Sequence, residues 1–594
     1  MIKFTIIGDS MFGRILEIKD NIVVLENNSK KIETNYLNLH VVFPDDKRKV
    51  VGEIIGMNEE EIRILLVGEI VNDKFYSGVI KKPDGKNGTR IVYKSEAELL
   101  LGSQDLYDKQ NLYIGKSVIY DGFNVTTNKN AFFSNHFAIV GNSGSGKSCG
   151  VARIMQNIFY EGMETPNNSH IVLFDVYGEY NTAFCYMNNT DGMGYKYYTT
   201  DLKSKNNLLQ IPAYFLDVDD LALLLNVTNN SQLPIIEKAL KYVYIFKGED
   251  ETSKKYKNSI IASCVLDILS SGKSGTQIRD QVIAVLSRYN TPDININAPI
   301  VEPGYTRTIK QCLNIDAQGK ISALSLVIDY LNNYSYLDLN DFKPNMLTIY
   351  DLEDLYYAFE FALISEGTFN SDKAFEEYNS LKVRLHQIIN SDLKEFFSTT
   401  VNRVSKNEYI KNLFEDYNHK YQIINMNLNY IDDRTAKILT KIYARMFFEY
   451  ATNLDERASY PIHIILEEAH RYVQNDNDIN ILGYNIFDRI TKEGRKYGVI
   501  LGLITQRPSE LSVTALSQCQ NFLIFKMFHP EDIKIINSIT SNVSFETIEQ
   551  IKNLNSGTCM AFGSAFKLPL IVKLDLPDPM PKSTSADIVS SWYK

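Results

Sequence analysis

Short apolar runs separated by turn-forming residues characterise the first 85 residues. The runs cover residues 12–18, 21–25, 50–55, 62–70 and 75–80, and they are rich in β-branched side chains. This pattern predicts short strands, and residues 1–85 are expected to form a small β-barrel. The alternative is that these strands belong to the main sheet. Residues 86–130 are expected to be a connector.

Buried strands that alternate with helices begin at about residue 131. The first α/β unit covers 131–215, with a helix-compatible run from Cys149 to Tyr160. The pattern resumes over 416–594, with strands or helices at 421–427, 433–453, 462–466, 499–504, 522–527, 557–562 and 567–576. This order predicts an α/β core with a mainly parallel sheet and helices on both faces.

Between these two parts, residues 216–415 carry apolar positions at helical spacing. The clearest segments are 233–246, 259–269, 278–289 and 321–334. They predict a helical insertion whose charged and tyrosine-rich faces are solvated. No motif for chemistry stands out in it.

Composition narrows the function classes. The chain has 594 residues, is 44% hydrophobic and 23% charged, and carries a net charge of −10. A protein that coats DNA uniformly would be basic, so any DNA contact must come from local loops. The six cysteines are scattered without a CxxC pair, which excludes a ribbon-type zinc site and predicts a reducing, cytoplasmic location. Neither a signal peptide nor an apolar run of about 18 residues is present, so no membrane span is expected.

One stretch, 141–148, fits the G-x-x-x-x-G-K-[ST] phosphate-binding pattern between an apolar run and a helix. Glycines let the backbone turn its N–H groups toward phosphates, Lys147 reaches the β- and γ-phosphates, and Ser148 ligates Mg²⁺. The alternative is a Gly/Ser turn before a helix. ATP and Mg²⁺ are the predicted cofactors. The predicted nucleotide-binding residues are Gly141, Asn142, Ser143, Gly144, Ser145, Gly146, Lys147, Ser148 and Cys149.

A carboxylate pair follows the strand at 170–175. Asp175 ends the strand and Glu179 lies four residues later, at the edge where α/β proteins bind ligands. A turn-and-cap role for Asp175 and Gly178 explains the same residues, and the two interpretations stay open.

A second acidic pair follows the strand at 462–466. Glu467 is predicted to lie nearest the water shell of the metal, so that Ser148 and Glu467 form the metal site, and Glu468 to polarise the hydrolytic water. The alternative is an acidic strand end that caps the next helix.

Two further residues complete the predicted site. Gln506 follows the strand at 499–504 and can sense the γ-phosphate. Arg495 can project into the nucleotide of a neighbouring subunit, because its planar fork stabilises spread phosphoryl charge. The alternatives are that Gln506 is a plain turn residue and that Arg495 is a solvated charge at a helix end.

With these residues in view, the chain resembles the HerA family, in the HerA/FtsK group of RecA-like motor proteins. The matching stretches are 136–148, 175–180, 211–214, 466–472, 493–498 and 505–508, and residues 1–85 occupy the place of the family's HAS barrel. One departure is Glu467, where aspartate is common in such motors.

The resemblance implies a homo-hexameric ring with a central channel that threads double-stranded DNA, driven by ATP. It also implies a partner bound through the N-terminal barrel. Archaeal-type members work with the NurA nuclease, and many bacterial members pair with a nuclease or sirtuin-like NADase effector in anti-phage defence. Arg507 and the loop 475–480 are hypotheses for DNA contacts.

Two hypotheses therefore remain. In the first, the ring translocates along or unwinds DNA. In the second, it is an ATP-regulated assembly platform that activates a separate effector, which the acidic charge and the extra barrel favour. A metabolic P-loop kinase fits poorly, because it accounts neither for the Arg495 segment nor for the size of the chain.

Overall fold

The computed structural model describes most of the chain. The described residues are 12–28, 36–84, 86, 88–159, 164–345, 348–366, 372–398, 404–417, 419–540, 545–583 and 588–593. Tyr160, the predicted end of the first helix, lies outside them.

Strands and helices alternate along the chain. The strands are β1 Ile15–Lys19, β2 Ile22–Glu26, β3 His40–Pro44, β4 Lys49–Met57, β5 Glu61–Val71, β6 Lys74–Ser77, β7 Arg90–Ile91, β8 Asn111–Ser117, β9 Asn124–Asn128, β10 Phe137–Val140, β11 His170–Asp175, β12 Tyr195–Thr199, β13 Pro299–Glu302, β14 Tyr305–Thr308, β15 Glu415–Asp416, β16 His419–Lys420, β17 Ile423–Asn427, β18 Ile462–Leu466, β19 Val499–Thr505, β20 Asn521–Phe525, β21 Thr558–Gly563 and β22 Leu570–Lys573. The helices are α1 Lys94–Leu101, α2 Lys129–Phe133, α3 Lys147–Ile158, α4 Asn181–Phe184, α5 Val218–Leu224, α6 Leu233–Lys247, α7 Glu251–Leu269, α8 Gly275–Arg288, α9 Ile309–Cys312, α10 Leu324–Asn332, α11 Leu352–Glu366, α12 Asp372–Ile389, α13 Lys406–Phe414, α14 Asp433–Thr452, α15 Asp478–Leu482, α16 Ile486–Glu493, α17 Val513–Ser517, α18 Pro530–Ile539, α19 Phe545–Gln550 and α20 Ile588–Trp592.

The chain divides into two compact units. The first consists of Met1–Asn207, Ile410–Asp476 and Asn485–Lys594, and the second of Leu208–Tyr409 and Asn477–Tyr484.

An eleven-stranded sheet forms the centre of the first unit. Its order is β12-β17-β11-β18-β19-β10-β20-β21-β22-β8-β9. The seven strands from β12 to β20 pair in parallel, and the last four strands add on in antiparallel fashion. The predicted α/β core with a mainly parallel sheet is confirmed.

The strand before the phosphate loop is central to this sheet. Every residue of β10 is buried, and Phe137 pairs in register with Gly502 of β19 and Asn521 of β20. A Cβ atom at Gly502 would lie 2.5 Å from the ring of Phe137, so only glycine leaves room for it. The rings of Phe132 and Phe133 pack on Phe137, with centroids 5.0 and 5.9 Å away. This packing fixes the strand that carries the loop.

The connector expected over 86–130 is more than a connector. It contributes β8 and β9 to the edge of the main sheet, together with α1 and α2. Periodicity in a short segment predicts a strand but does not say which sheet the strand joins. Here Ser117 of β8 pairs with Val572 of β22, which lies 455 residues later in the chain.

The N-terminal strands form a separate antiparallel sheet in the order β1-β2-β5-β4-β3-β7, with β6 beside β5. Side chains alternate between two cores: Val41 and Phe43 pack in a small core of this sheet, whereas Val42 joins the larger core of the unit. Among the described strands β1 and β7 are not paired with each other, so the predicted barrel is observed as an antiparallel sheet. The strand β3 was not predicted.

The second unit is largely helical. Helices α6 and α11 pack together, and the rings of Phe246, Tyr289 and Phe361 meet between them and α8 at 4.9–5.8 Å. The predicted helix 233–246 coincides with α6 to within a residue, and the hairpin β13–β14 was not predicted. Within the described part of the chain, no α-helix combines the length and apolarity that a membrane span requires.

Replacing Phe137 with alanine should lower the thermal unfolding midpoint of the first unit by several degrees. The side chain is fully buried, and removing such a ring costs about 3–5 kcal/mol in lost burial and cavity formation. Phe528, whose side chain is 63% exposed, is the matched control. Phe528→Ala should change stability by less than about 0.5 kcal/mol. Equal midpoints for the two variants would contradict this account of the core.

Candidate functional site

Four strand ends meet at one edge of the main sheet. Because β10, β19, β18 and β11 are parallel neighbours, the segments that follow them emerge side by side. These segments supply Lys147, Gln506, Glu467, Glu468 and Asp175. The Nζ atom of Lys147 lies 3.9 Å from Oε1 of Glu468, and Nε2 of Gln506 donates a hydrogen bond to the same oxygen. The structure thus brings together predicted residues that are up to 360 positions apart.

Backbone hydrogen bonds hold the phosphate loop on three sides. The N–H of Gly141 donates to the carbonyl of Thr505 at 3.2 Å, and that of Asn142 to Lys526 at 3.0 Å. From the third side, the N–H of Gly557 donates to the carbonyl of Ser145 at 2.9 Å. No pattern in the sequence pointed to Gly557, because its role depends only on where β21 begins.

Two glycines allow the loop to turn. Gly144 and Gly146 have φ values of 74° and 92°, in the left-handed region. A Cβ atom on Gly146 would also lie 2.7 Å from the backbone nitrogen of Gly557. At the tip of the loop, Ser143 and Gly144 are exposed.

The start of α3 presents unpaired donors. The helix begins at Lys147, and its first bond of the i to i−4 type runs from Gly150 to Gly146. The N–H groups of Lys147, Ser148 and Cys149 therefore have no acceptor within the helix, and Gly146 has no side chain to cap them. Burial lowers the pKa of the Lys147 ammonium, against the opposing effect of Glu468 and Glu467. Free N–H groups at a helix N-terminus are typical of anion-binding sites.

Glu468 occupies an unusual backbone conformation. Its φ and ψ are 45° and 46°, the left-handed region that few residues other than glycine adopt. The side chain is almost fully buried. A residue held in this conformation indicates a functional constraint, and here it turns the carboxylate toward Lys147.

Glu467 and Asp175 form a buried acidic pair. The N–H of Val176 donates to Oε2 of Glu467 at 3.1 Å, whereas Asp175 accepts hydrogen bonds from the N–H groups of Glu179 and Tyr180 and from Nδ2 of Asn425 at 3.0–3.2 Å. Burial raises the pKa of both carboxyls, that of Glu467 well above its ordinary value. The hydrogen bonds that Asp175 accepts oppose the rise of its pKa, and the pKa of Glu467 is the more strongly raised of the two. For Asp175 the hydrogen bonds support the turn-and-cap interpretation.

Glu179, by contrast, lies at the mouth of the site. Burial raises the pKa of its carboxyl, and the hydroxyl of Ser148 is close enough to oppose that shift. The oxygens of Ser148, Glu467 and Glu179 are of the hard type that Mg²⁺ prefers. In the described residues, no group of three or more His, Cys, Asp or Glu side chains is arranged to hold a metal by itself. Ser148, Glu467 and Glu179 together offer hydroxyl and carboxylate oxygens that fit a Mg²⁺ ion.

Arg495 is not part of this cluster. It lies in a 3₁₀ turn, Gly494–Tyr497, that precedes β19, and its side chain is exposed. Its charge acts on the pKa of His136, which directly precedes β10. Both positions are at the amino ends of the strands, opposite the phosphate loop of the same chain.

Comparison with known proteins gives consistent matches. The family model described as Helicase HerA, central domain, matches residues 112–447. The chain is 23% identical over 583 residues to the DNA double-strand break repair helicase HerA of Pyrococcus furiosus, covering 96% of this chain and 85% of the relative. It is 24% identical over 599 residues to the probable helicase MJ1565 of Methanocaldococcus jannaschii, covering 100% and 86%. Among solved structures, VirB4 of Thermoanaerobacter pseudethanolicus matches with a TM-score of 0.41 and 12% identity, covering 78% of this chain and 96% of that one.

Replacing Glu467 with glutamine should stabilise the nucleotide-free protein, and more so as the pH rises. Because the folded state raises the pKa of Glu467 above its ordinary value of 4.5, the folded state binds more protons than the unfolded state above that pH. Stability is therefore lost as the pH rises toward the folded pKa. Glutamine removes this loss.

Thermal midpoints measured with EDTA from about pH 5 to about pH 8 test this, and the variant should gain at least about 2 °C over wild type at the upper end. Glu456→Gln, at an exposed position, is the control. A gain in thermal midpoint that is independent of pH would argue against a raised pKa of Glu467.

Proposed function

The chain belongs to the HerA helicase family and so to the helicase and translocase class of ATPases, and we propose that it hydrolyses Mg·ATP to translocate along or unwind double-stranded DNA. The observation that carries this proposal is the meeting of Lys147, Glu468 and Gln506 above a phosphate loop whose helix presents free N–H groups. A binding-only site has no need for a buried carboxylate held beside the lysine.

In this proposal the loop residues 141–149 hold the phosphates through backbone N–H groups, and Lys147 contacts the β- and γ-phosphates. Ser148 and Glu467 would hold Mg²⁺, with Glu179 close by, and the bound metal would neutralise phosphate charge. A protonated Glu467 would have to lose its proton to act as a ligand, because a neutral carboxyl is a poor ligand.

Hydrolysis then depends on Glu468. Its carboxylate accepts a proton from the attacking water as the new bond to the γ-phosphorus forms and the bond to the bridging oxygen breaks. Gln506 donates a hydrogen bond to Glu468. Because an amide N–H can donate to a carboxylate oxygen or to a phosphate oxygen, Gln506 is suited to detect the γ-phosphate.

A homo-hexameric ring is proposed because Arg495 is exposed at the amino ends of the strands, where it cannot serve the phosphate loop of its own chain. In a ring, the guanidinium of Arg495 can reach the γ-phosphate of a nucleotide bound by the neighbouring subunit. Hydrolysis would then change the subunit interface and move loops along DNA in a central channel. Arg507, exposed and paired with Glu510 at 2.7 Å, remains a hypothesis for such a contact.

A partner is part of this proposal. The N-terminal sheet has a core of its own and exposed apolar residues on its edge strand β1, Leu16 and Ile18. We assign to it the binding of a nuclease or sirtuin-like NADase effector, in anti-phage defence, and the support for this assignment is the sequence resemblance. In the second candidate function the ring is chiefly a platform for that effector, which the net charge of −10 favours.

The first experiment measures ATPase rate against added linear duplex DNA, together with particle mass in the same buffer. We expect a hexamer-sized particle whose rate rises several-fold with DNA, and Glu468→Gln should lower kcat by about 100-fold or more while ATP still binds. Glu456→Gln is the exposed control. A hexamer that hydrolyses ATP but is indifferent to DNA would favour the platform, and absence of hydrolysis by the wild-type protein would overturn the catalytic role of Glu468.

Co-assembly of two inactive variants tests the role of Arg495. Arg495→Ala and Lys147→Ala should each be inactive, yet rings mixed in equal amounts should regain activity at about a quarter of their interfaces, where an intact loop meets an intact arginine. Lys496→Ala, an exposed neighbour in the same turn, should behave as wild type. Mixed rings without recovered activity would show that Arg495 does not act between subunits.

A further inference from the structure

The two carboxylate oxygens of Glu468 are held unequally. Oε1 accepts a hydrogen bond from Nε2 of Gln506 and lies 3.9 Å from Nζ of Lys147. Oε2 is buried and has no hydrogen-bond partner within the described part of the chain. Nδ1 of His470 lies 3.3 Å from Oε2 but makes no hydrogen bond to it. A buried carboxylate oxygen without a donor is costly, so this approach needs an explanation.

A second contact orients the imidazole of His470. Its Nδ1 atom lies 3.0 Å from Oγ1 of Thr505, the fully buried last residue of β19. The N–H of Arg507 donates to the same hydroxyl at 3.0 Å. The ring is therefore held between the end of β19 and the carboxylate of Glu468, and it is itself half-buried.

Chemistry decides which way the hydrogen bonds run. A threonine hydroxyl can donate or accept, whereas an ionised carboxylate only accepts. A proton on Nδ1 can be donated to Oγ1 of Thr505 and still lies near the carboxylate of Glu468, whereas a lone pair on Nδ1 would face that carboxylate. The charged groups around the ring are Glu468, Glu510, Arg471 and Arg507.

We propose that His470 is a positioning residue for hydrolysis, whose ring, anchored through Nδ1 to the hydroxyl of Thr505, lies against Oε2 of Glu468 and so fixes the plane of that carboxylate. The inference rests on the proposed ATPase function. One turn after β19 then controls both oxygens: Gln506 contacts Oε1 directly, and Thr505 reaches Oε2 through His470. The backbone of Glu468 is in the left-handed conformation, which the surrounding structure has to maintain, and contacts to both carboxylate oxygens contribute to this. His470 does not touch ATP and should leave ATP binding unchanged.

Replacing His470 with alanine should lower kcat for ATP by about 10-fold or more, because a misplaced catalytic carboxylate costs about that much. The KM for ATP and the binding of a fluorescent ATP analogue should stay within about 2-fold of wild type. His470→Asn should recover much of kcat, because the amide nitrogen of asparagine occupies the place of Nδ1 and can donate. His386→Ala, at an exposed histidine of the second unit, is the control.

Thr505→Val is an independent test in which residue 470 remains histidine. It removes the hydroxyl and preserves the shape of the side chain, and it should lower kcat without changing ATP binding. Combined with His470→Ala, it should add little further loss, since both changes act through one contact. Unchanged kcat in His470→Ala, a failure of asparagine to restore it, or a loss expressed only in KM would each overturn the inference. If wild-type protein hydrolyses no ATP, the proposed function fails first, and the inference with it.

Discussion

The site depends on one constraint, the parallel pairing of β10 with β19 on one side and β20 on the other. Parallel strands end at the same edge, so the loop after β10 necessarily lies beside the residues that follow β19. The hydrogen bonds of Gly141 and Asn142 to Thr505 and Lys526 extend this pairing into the loop itself. The buried aromatic packing of Phe137 keeps the strand in register. The geometry of the loop therefore depends on the packing of the strand that precedes it.

Without a ligand, the positive and negative charges at the phosphate-loop edge of the main sheet do not compensate one another. One buried lysine, Lys147, faces the carboxyls of Glu467, Glu468 and Glu179. Burial and the neighbouring carboxylates raise the pKa of Glu467 well above its ordinary value, and burial lowers the pKa of Lys147. A Mg·nucleotide complex supplies both the cation that the carboxylates need and the anion that the lysine and helix terminus need. The site is thus built for its ligand at a cost to the stability of the empty protein, as is common where function requires buried charge.

The N-terminal strands show how one sheet can serve two cores. Alternate residues of β3 and β4 face either the small core of that sheet or the large core of the first unit. This joins the sheet to the ATPase core through one face. Among the described strands, β1 pairs only with β2, and an edge strand of this kind is consistent with the proposed role in binding a partner.

Local chemistry determined much of this protein. The bounds of β11 and β18 coincide with predicted apolar runs, and the residue types at 141–148 and 467–468 are specific enough to name a phosphate loop and its acids. Other features depend on contacts between distant segments, which no local pattern encodes: β8 and β9 join the main sheet through β22, and Gly557 closes the loop. The same holds at the acids themselves. The sequence shows His470 two residues after Glu468, but only the end of β19, folded against both, decides that its ring approaches the free carboxylate oxygen.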